Sequence, residues 1–380
     1  MNKIAYLGPR GTFSEQAAQA YAAAQPAQPV PCATLQDVCQ GVAEGRYAQG
    51  VLPFENLLEG TVNPVLDLLL ELPGLKIQAE LLLPVAHHLL VRPGSNFRDI
   101  RAVLSHPQAL AQCRRFLADN LPAAQLIPVE STARAAGQVA GGDNTLAAVA
   151  TDAAAQYYNL TVLAPNIQDR SDNCTRFVVV GRQEIPCRGP SCKTSLAVSL
   201  PDRPGSLYSI LKEFAWRGIN LTRIESRPAR TSLGEYIFLI ELAGHRADPD
   251  VSEALANLAD QARQIRLLGC YPACRQEPGA SRQPAATLAE LRQAIDIIDG
   301  QIIALLGQRA RLVTEVGKRK PAGGAVRDQA REAQVLARVR RLARHHGFAE
   351  PMAETIYRTL LDHFVELQTE RQTAGLPNPH

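Results

Sequence analysis

The chain has 380 residues, 46% of them apolar and 20% charged, with a formal net charge of +3. That length accommodates two or three domains with separate cores, and that apolar fraction excludes wholesale disorder. The balance of charge gives no reason to expect nucleic acid: the basic run Arg338, Arg340, Arg341 and Arg344 lies among acidic residues and reads as a solvated helix face.

Met1–Leu7 runs straight into a strand-like segment with no charged-then-apolar leader, and the apolar stretches are too short to cross a bilayer, so a cytoplasmic protein with no membrane partner is expected. Eight cysteines within the first 274 residues are then expected as reduced thiols rather than a disulfide framework. Cys187 with Cys192, and Cys270 with Cys274, lack CxxC spacing and are not expected to hold zinc.

In chain order, the first strands are predicted at 3–8, 50–53, 77–85, 102–105, 146–151 and 177–180, with Ala-rich helices at 14–24 and 109–120 between them. Such alternation predicts an α/β domain with mainly parallel strands and its ligands at loops beyond the strand ends. A Pro/Gly-rich linker at 185–193 follows. Next come strands at 195–200, 221–227, 235–242 and 265–270 with helices at 206–217 and 251–261, the ferredoxin-like order. After a second linker at 276–284 no strand is expected, and Leu288, Leu291, Ile295, Ile298, Ile302, Leu305, Leu312 and Val316 form a heptad seam on one long helix.

Polar clusters sit where the first strands end: Gly8-Pro9-Arg10-Gly11-Thr12-Phe13-Ser14, Pro53-Phe54-Glu55-Asn56-Leu57-Leu58-Glu59-Gly60, Ser105-His106-Pro107-Gln108 with Gln112, and Asn173-Cys174-Thr175-Arg176-Phe177. Turn chemistry and capping by Ser14 or Ser105 would explain any one of them. Together they resemble prephenate dehydratases over residues 1 to about 182, and the domain is set at 1–185. The resemblance implies two α/β lobes around a cleft, like periplasmic binding proteins, with no metal or redox cofactor. It implies Thr175 as the main catalytic hydroxyl and Glu55, Asn56, Ser105 and Gln112 lining the cleft. Arg176 is expected to pair bidentately with substrate carboxylates. Leu57 stands where the family has a small hydroxyl, so re-tuned activity is expected. His87 and His88, adjacent in a strand, point to opposite faces and cannot share a metal; with His106 they are expected to be structural.

Residues 194–275 resemble an ACT domain, on Pro204-Gly205-Ser206-Leu207, Gly218-Ile219-Asn220-Leu221-Thr222 and Ile224-Glu225-Ser226-Arg227-Pro228. The resemblance implies phenylalanine as effector, bound between two such domains, at Gly205, Ser206, Leu207, Asn220, Leu221, Glu225, Ser226 and Arg227.

In the last segment Arg309 interrupts the apolar seam, and a cation there is costly unless an anion pairs with it. Arg292 lies near the same face, but 17 residues of helix span ~26 Å, so one small ligand can meet both only if Arg292 comes from a partner chain. Residues 286–374 resemble the all-α chorismate mutases, on Leu291-Arg292, Glu315-Val316-Gly317-Lys318-Arg319-Lys320, Val326-Arg327-Asp328, Arg331-Glu332 and Gln368. The resemblance implies a homodimer or larger assembly. Arg292 (partner), Arg309 and Arg331 would bind carboxylates, Lys320 and Gln368 the ether oxygen, and Asp328 and Glu332 the substrate hydroxyl. Phe364 departs from the small polar residue common in that family. The expectation is a bifunctional enzyme taking chorismate and prephenate. The residues leave two rivals open: an amino-acid-sensing binding protein that has lost catalysis, for which Leu57 and Phe364 speak, and a dehydratase whose helical tail only dimerises, against which Arg309, Lys320, Arg331, Glu332 and Gln368 together speak.

Overall fold

The computed structural model describes residues 2–187, 192–229, 235–274, 288–319, 327–345 and 347–374. They fall into two compact units, Met1–Glu277 and Pro278–His380. The linker expected at 276–284 lies outside the described residues.

The first unit opens with β1 (Asn2–Leu7), α1 (Phe13–Ala22), β2 (Ala27–Cys32), α2 (Leu35–Ala43), β3 (Gln49–Asn56), β4 (Gly60–Thr61), α3 (Asn63–Glu71) and β5 (Lys76–Pro84). The chain then crosses to a second lobe. This comprises β6 (His88–Val91), β7 (Ala102–Ser105), α4 (Pro107–Gln112), α5 (Arg114–Asn120), β8 (Gln125–Pro128), α6 (Thr132–Gly141), β9 (Leu146–Ala150), α7 (Asp152–Tyr158) and β10 (Thr161–Ala164). It returns as β11 (Cys174–Gly181), antiparallel between β3 and β5. The sheet orders are β2-β1-β3-β11-β5, with β4 on β3, and β10-β6-β9-β7-β8. Strand β1 runs parallel to both its neighbours β2 and β3, and β7 to both β8 and β9. Their near-continuous apolar runs fit sheets covered on both faces; Ile4, Ala5 and Tyr6 are all buried. This is the expected two-lobed α/β architecture, but its strands are not mainly parallel: β3–β4, β3–β11, β5–β11, β6–β9 and β6–β10 pair antiparallel, because the chain crosses between the lobes and returns.

Helix starts differ from expectation in detail. Thr12, not Ser14, caps α1 by accepting from the Glu15 amide at 3.3 Å, and His106 Nδ1, not Ser105, caps α4 by accepting from the Gln108 amide at 3.3 Å. The lobes meet at Gly11, whose carbonyl accepts from Thr151 Oγ1 at 2.8 Å. Gly11 has φ +82, and a Cβ there would lie 3.0 Å from Ala154 Cα, so a side chain would push the lobes apart.

The third sheet holds β12 (Cys192–Ser199), β13 (Leu221–Pro228), β14 (Tyr236–Ala243) and β15 (Gln264–Pro272) in the order β13-β14-β12-β15, all neighbours antiparallel. Helices α8 (Ser206–Trp216) and α9 (Pro249–Ala259) cover one face around Ile210, Phe214, Ala254 and Leu258. With its helices it is the expected ferredoxin-like fold. Its other face lies on the first lobe, where Ala197, Leu239, Leu268 and Tyr271 share a core with Leu69, Leu75 and Ile77. Gly269 permits the approach: a Cβ there would collide with the Ile77 backbone.

One expectation is corrected here. Cys187 and Cys192 form a disulfide, their Cα atoms 6.1 Å apart, because β11 and β12 bring the two ends of the linker together. Cys270 packs against them, and no other disulfide is formed among the described residues. Among the described residues no cluster has the makings of a metal site, and no helix is long and apolar enough to cross a membrane.

The second unit is helical: α10 (Leu288–Arg319), α11 (Gln329–His345) and α12 (Glu350–Ala374). Helices α11 and α12 pack through Val335, Val339, Ala343, Ala353 and Tyr357. Arg340 and Arg344 of the basic run pair with Glu354 and Glu350 of α12, so they form an ion-paired helix surface. Helix α10 exposes Ile295, Ile298, Ile302, Leu305, Leu312 and Val316, the seam its sequence predicts.

Candidate active sites

Between the first two lobes lies a cavity of about 420 Å³ whose lining includes Thr12, Ser14, Asn56, Thr61, Gln112 and Thr175. Strand register builds its centre. β11 pairs with β3 so that Thr175 faces Asn56 and Arg176 faces Glu55. Asn56 Nδ2 donates to Thr175 Oγ1 at 2.9 Å, while Asn56 Oδ1 accepts from the amides of Leu58 and Glu59 at 2.9 and 3.1 Å. Asn56 therefore holds the β3–β4 loop and occupies an acceptor position on Thr175, leaving the threonine proton free to donate. Gln112 Oε1 meets His87 Nε2 and Asn173 Nδ2, each at 3.2 Å, which leaves the Gln112 amide nitrogen for a ligand. His87 lines the cavity at 3% exposure; burial pulls its pKa down to about 4, so the ring is neutral near neutral pH, and its Nδ1 has no hydrogen-bond partner. His88 Nδ1 accepts from the Asn166 amide at 3.1 Å.

Four residues sit differently from expectation, and the first, Glu55, is absent from the cavity lining and pairs with Arg176 and Arg223 instead. Ser105 is fully buried and donates to the Val149 carbonyl, tying β7 to β9 rather than lining the cavity. The Leu57 side chain is 56% exposed and its amide donates to the Cys174 carbonyl at 2.9 Å, so the departure at this position falls outside the cavity wall. Arg176, expected at the substrate carboxylates, is 9% exposed and turned into the protein. It donates to Glu55 at 2.9 Å, Glu80 at 3.0 Å and Glu241 at 2.9 Å. Lys193 adds a bond to Glu80 at 2.9 Å, and Arg223 one to Glu55 at 3.2 Å. Three cations thus face three carboxylates; burial pushes the Arg176 pKa down, and Glu241 and Glu80 outweigh it and hold the pKa above its ordinary value.

In the third sheet, Gly205 takes the left-handed conformation (φ +85) at the start of α8, followed by Ser206, whose hydroxyl is buried without a partner, and Leu207. Asn220 and Leu221 follow the other end of that helix, which at 11 residues spans ~16 Å. One small ligand does not reach both groups within one chain. Glu225 and Arg227, expected at the effector, turn to the first lobe: Glu225 accepts from Thr61 at 3.0 Å, and Arg227 clamps Asp67 at 2.8 Å. Ser226, between them, is exposed.

In the second unit a cavity of about 540 Å³ brings together Arg309, Asp328, Arg331 and Glu332, with Arg338 and Phe364 also in its wall. The Arg309 guanidinium lies 4.5 Å over the Phe364 ring, and its Nη1 is buried with no partner. Phe364 thus orients the arginine rather than simply filling the cavity. Asp328 Oδ1 caps α11 by accepting from the Arg331 amide at 3.0 Å, and Glu332 pairs with Arg327 at 3.1 Å. Arg292 is exposed on α10 and absent from this wall. Lys320 and the Gln368 side chain lie outside the described residues.

Family models match in chain order: prephenate dehydratase over residues 4–185, ACT domain over 194–260 and chorismate mutase type II over 291–369. The bifunctional chorismate mutase/prephenate dehydratase of Aquifex aeolicus is 43% identical over 270 residues, which cover 71% of this chain and 73% of that protein. The chain belongs to the prephenate dehydratase family. Among solved structures, prephenate dehydratase from Arthrobacter aurescens in complex with L-Phe gives a TM-score of 0.67 at 36% identity, over 79% of this chain and 99% of that one. A chain described as GqqA, a novel type of quorum quenching acylases, gives 0.67 at 34% identity, over 72% of this chain and 98% of that one.

Sequence reasoning on this dehydratase missed the partners of Arg176. A signal existed: Glu80 and Glu241 interrupt strongly apolar strands, and a carboxylate buried in a sheet needs a cation. It also missed Thr12, Thr61 and His87 in the cavity wall, which no periodic pattern distinguishes from turn and strand residues.

Proposed function

We propose that the chain converts chorismate to prephenate in its helical unit and prephenate to phenylpyruvate in the two-lobed cleft, with phenylalanine as feedback effector. The observation that carries the dehydratase assignment is the Asn56–Thr175 bond at 2.9 Å inside the cavity. In the reaction the ring carboxylate leaves as carbon dioxide, its bonding electrons move into the ring, and the ring hydroxyl leaves as water after taking a proton. Aromaticity supplies the driving force. Thr175 donates a hydrogen bond to the departing hydroxyl, and Gln112 orients the substrate.

The mutase reaction is a pericyclic rearrangement and transfers no proton. Arg309 and Arg331 hold the two carboxylates, selecting the compact conformer, while Lys320 and Gln368 stabilise charge on the ether oxygen. Asp328 and Glu332 hold the substrate hydroxyl, and Arg292 enters from a second chain. The unpaired Arg309 Nη1 and the exposed α10 seam support this reading, which makes the protein at least a homodimer. The same logic divides the effector site, with Gly205–Leu207 of one chain facing Asn220, Leu221 and Ser226 of another. The unbridged thiols of Cys32, Cys39, Cys113, Cys174 and Cys270 favour the reducing cytoplasm as its compartment, and the Cys187–Cys192 disulfide speaks the other way.

The test is steady-state turnover of each substrate by the purified protein. Thr175→Val lowers dehydratase kcat by about 10²- to 10⁴-fold and spares the mutase. Arg309→Ala does the reverse. Unchanged prephenate turnover in Thr175→Val rejects the first assignment, and unchanged chorismate turnover in Arg309→Ala rejects the second.

A further inference from the structure

Strand β13 is an edge strand whose residues alternate between two environments. Thr222, Ile224 and Ser226 are exposed, whereas Arg223, Glu225 and Arg227 face the first lobe. Arg223 reaches furthest toward the cleft. Its side chain is 7% exposed, its Nη1 donates to Glu55 Oε2 at 3.2 Å, and its Nη2 donates to Thr61 Oγ1 at 2.6 Å. Thr61 in turn donates to Glu225 at 3.0 Å. Phe54 is held between two guanidiniums, that of Arg176 at 4.8 Å and that of Arg223 at 4.7 Å from its ring centroid. Glu55 is the chain neighbour of Asn56, and Thr61 stands opposite Glu55 in the β3–β4 register. Both Asn56 and Thr61 line the dehydratase cavity.

We infer that Arg223, a residue of the ACT domain, positions Thr61 of the dehydratase cavity wall and Glu55, the chain neighbour of Asn56 behind that wall, and that through it β13 carries effector binding to the cleft. This rests on the proposed phenylalanine site. Ser226 on the strand's exposed face belongs to that site, and on its inward face Arg223 and Glu225 touch Thr61 of the cavity wall directly. A strand moves as a unit, and hydrogen bonds of 2.6–3.2 Å are lost within a few tenths of an ångström to an ångström of extension. A small shift of β13 toward a bound ligand therefore withdraws Arg223 from Thr61 and Glu55. That loosens the loop that Asn56 holds beside Thr175.

The experiment uses the full-length protein and two variants that break the contact from opposite sides, Arg223→Gln and Thr61→Val. Phenylalanine binding is measured by calorimetry, and dehydratase kinetics with and without saturating phenylalanine. Binding also reports that each variant's ACT sheet is folded. The expected result is a phenylalanine dissociation constant within about 3-fold of the parent, with the fold-inhibition reduced at least about 5-fold in both variants. Variants that bind phenylalanine and are inhibited as strongly as the parent overturn the coupling and leave the sensor reading intact. Loss of binding in Arg223→Gln places that residue in the effector site and overturns its positioning role. A parent protein that binds no phenylalanine rejects the sensor reading, and the coupling falls with it.

Discussion

Replacing Arg176 with Gln separates the two roles that this residue could hold. Its side chain is 10% exposed, against Glu80 at 3% and Glu241 at 5%. Without the guanidinium, Lys193 is the cation left to these carboxylates, at 2.9 Å from Glu80 and 3.7 Å from Glu241, and Glu80 keeps the Cys274 amide at 2.8 Å. Removing one partner of a buried ion pair costs about 3–5 kcal/mol. At about 2–4 °C per kcal/mol for a unit of this size, the first unit's thermal transition should fall by roughly 6–20 °C. Scanning calorimetry is the assay, with the helical unit's transition as internal reference because a chain of two units need not melt as one. Adding Glu241→Gln to Arg176→Gln should restore part of the loss, since the second change removes the stranded charge. A shift below about 2 °C, together with a tenfold rise in KM for prephenate, would refute this reasoning and return Arg176 to the substrate.

Other outcomes follow from the same geometry. His87 is held neutral by burial with a pKa of about 4, below its ordinary value near 6.5, so between those pH values the unfolded chain binds a proton that the folded one refuses. Stability is therefore lost as pH falls, by roughly 2 kcal/mol between pH 7 and 5, and His87→Gln flattens that slope in denaturant titrations at the two pH values. Mutase kcat/KM changes less than about twofold between pH 6 and 8, because the rearrangement transfers no proton; a steep loss in that window speaks against Gln368. Mixing Arg292→Ala chains with Arg309→Ala chains restores about a quarter of parental mutase activity. Half the dimers are then mixed, and each carries one intact site. Continued inactivity after subunit exchange would show that the site is not shared.

The domain order and the motif-bearing loops are legible because apolar runs bounded by turn residues mark them. What escapes is set by tertiary partners. Strand β2 carries two prolines, Pro29 and Pro31, which read as a loop and are tolerated only because the strand lies at a sheet edge. The helix expected over 109–120 breaks at Cys113, whose φ −113 and ψ 17 leave α-helical geometry between α4 and α5 without any proline or glycine to announce it. The Cys187–Cys192 bridge depends on where two strands begin and end, which spacing does not reveal. Arg176 is the sharpest case. An arginine beside a catalytic threonine invites a substrate role, yet a strand sends neighbouring side chains to opposite faces, so Thr175 and Arg176 point to different surroundings. The same period of two divides Ser226 from Glu225 and Arg227.

The ionic junction between the ACT sheet and the first lobe bears on why these domains are joined through charge. A junction of well-packed apolar residues would hold the two sheets at least as firmly, because buried ion pairs recover their desolvation cost poorly. The surrounding core already supplies such packing through Leu268, Tyr271, Ile77 and Leu69. What the charges add is an alternative pairing within a short displacement. Glu55 is held by both Arg176 and Arg223, and Lys193 stands within reach of both Glu80 and Glu241. Withdrawing Arg223 leaves Glu55 still bound to Arg176, so the network has a second arrangement without any orphaned carboxylate. An apolar junction has no such discrete alternative. Two nearly balanced arrangements are what a signal between domains requires.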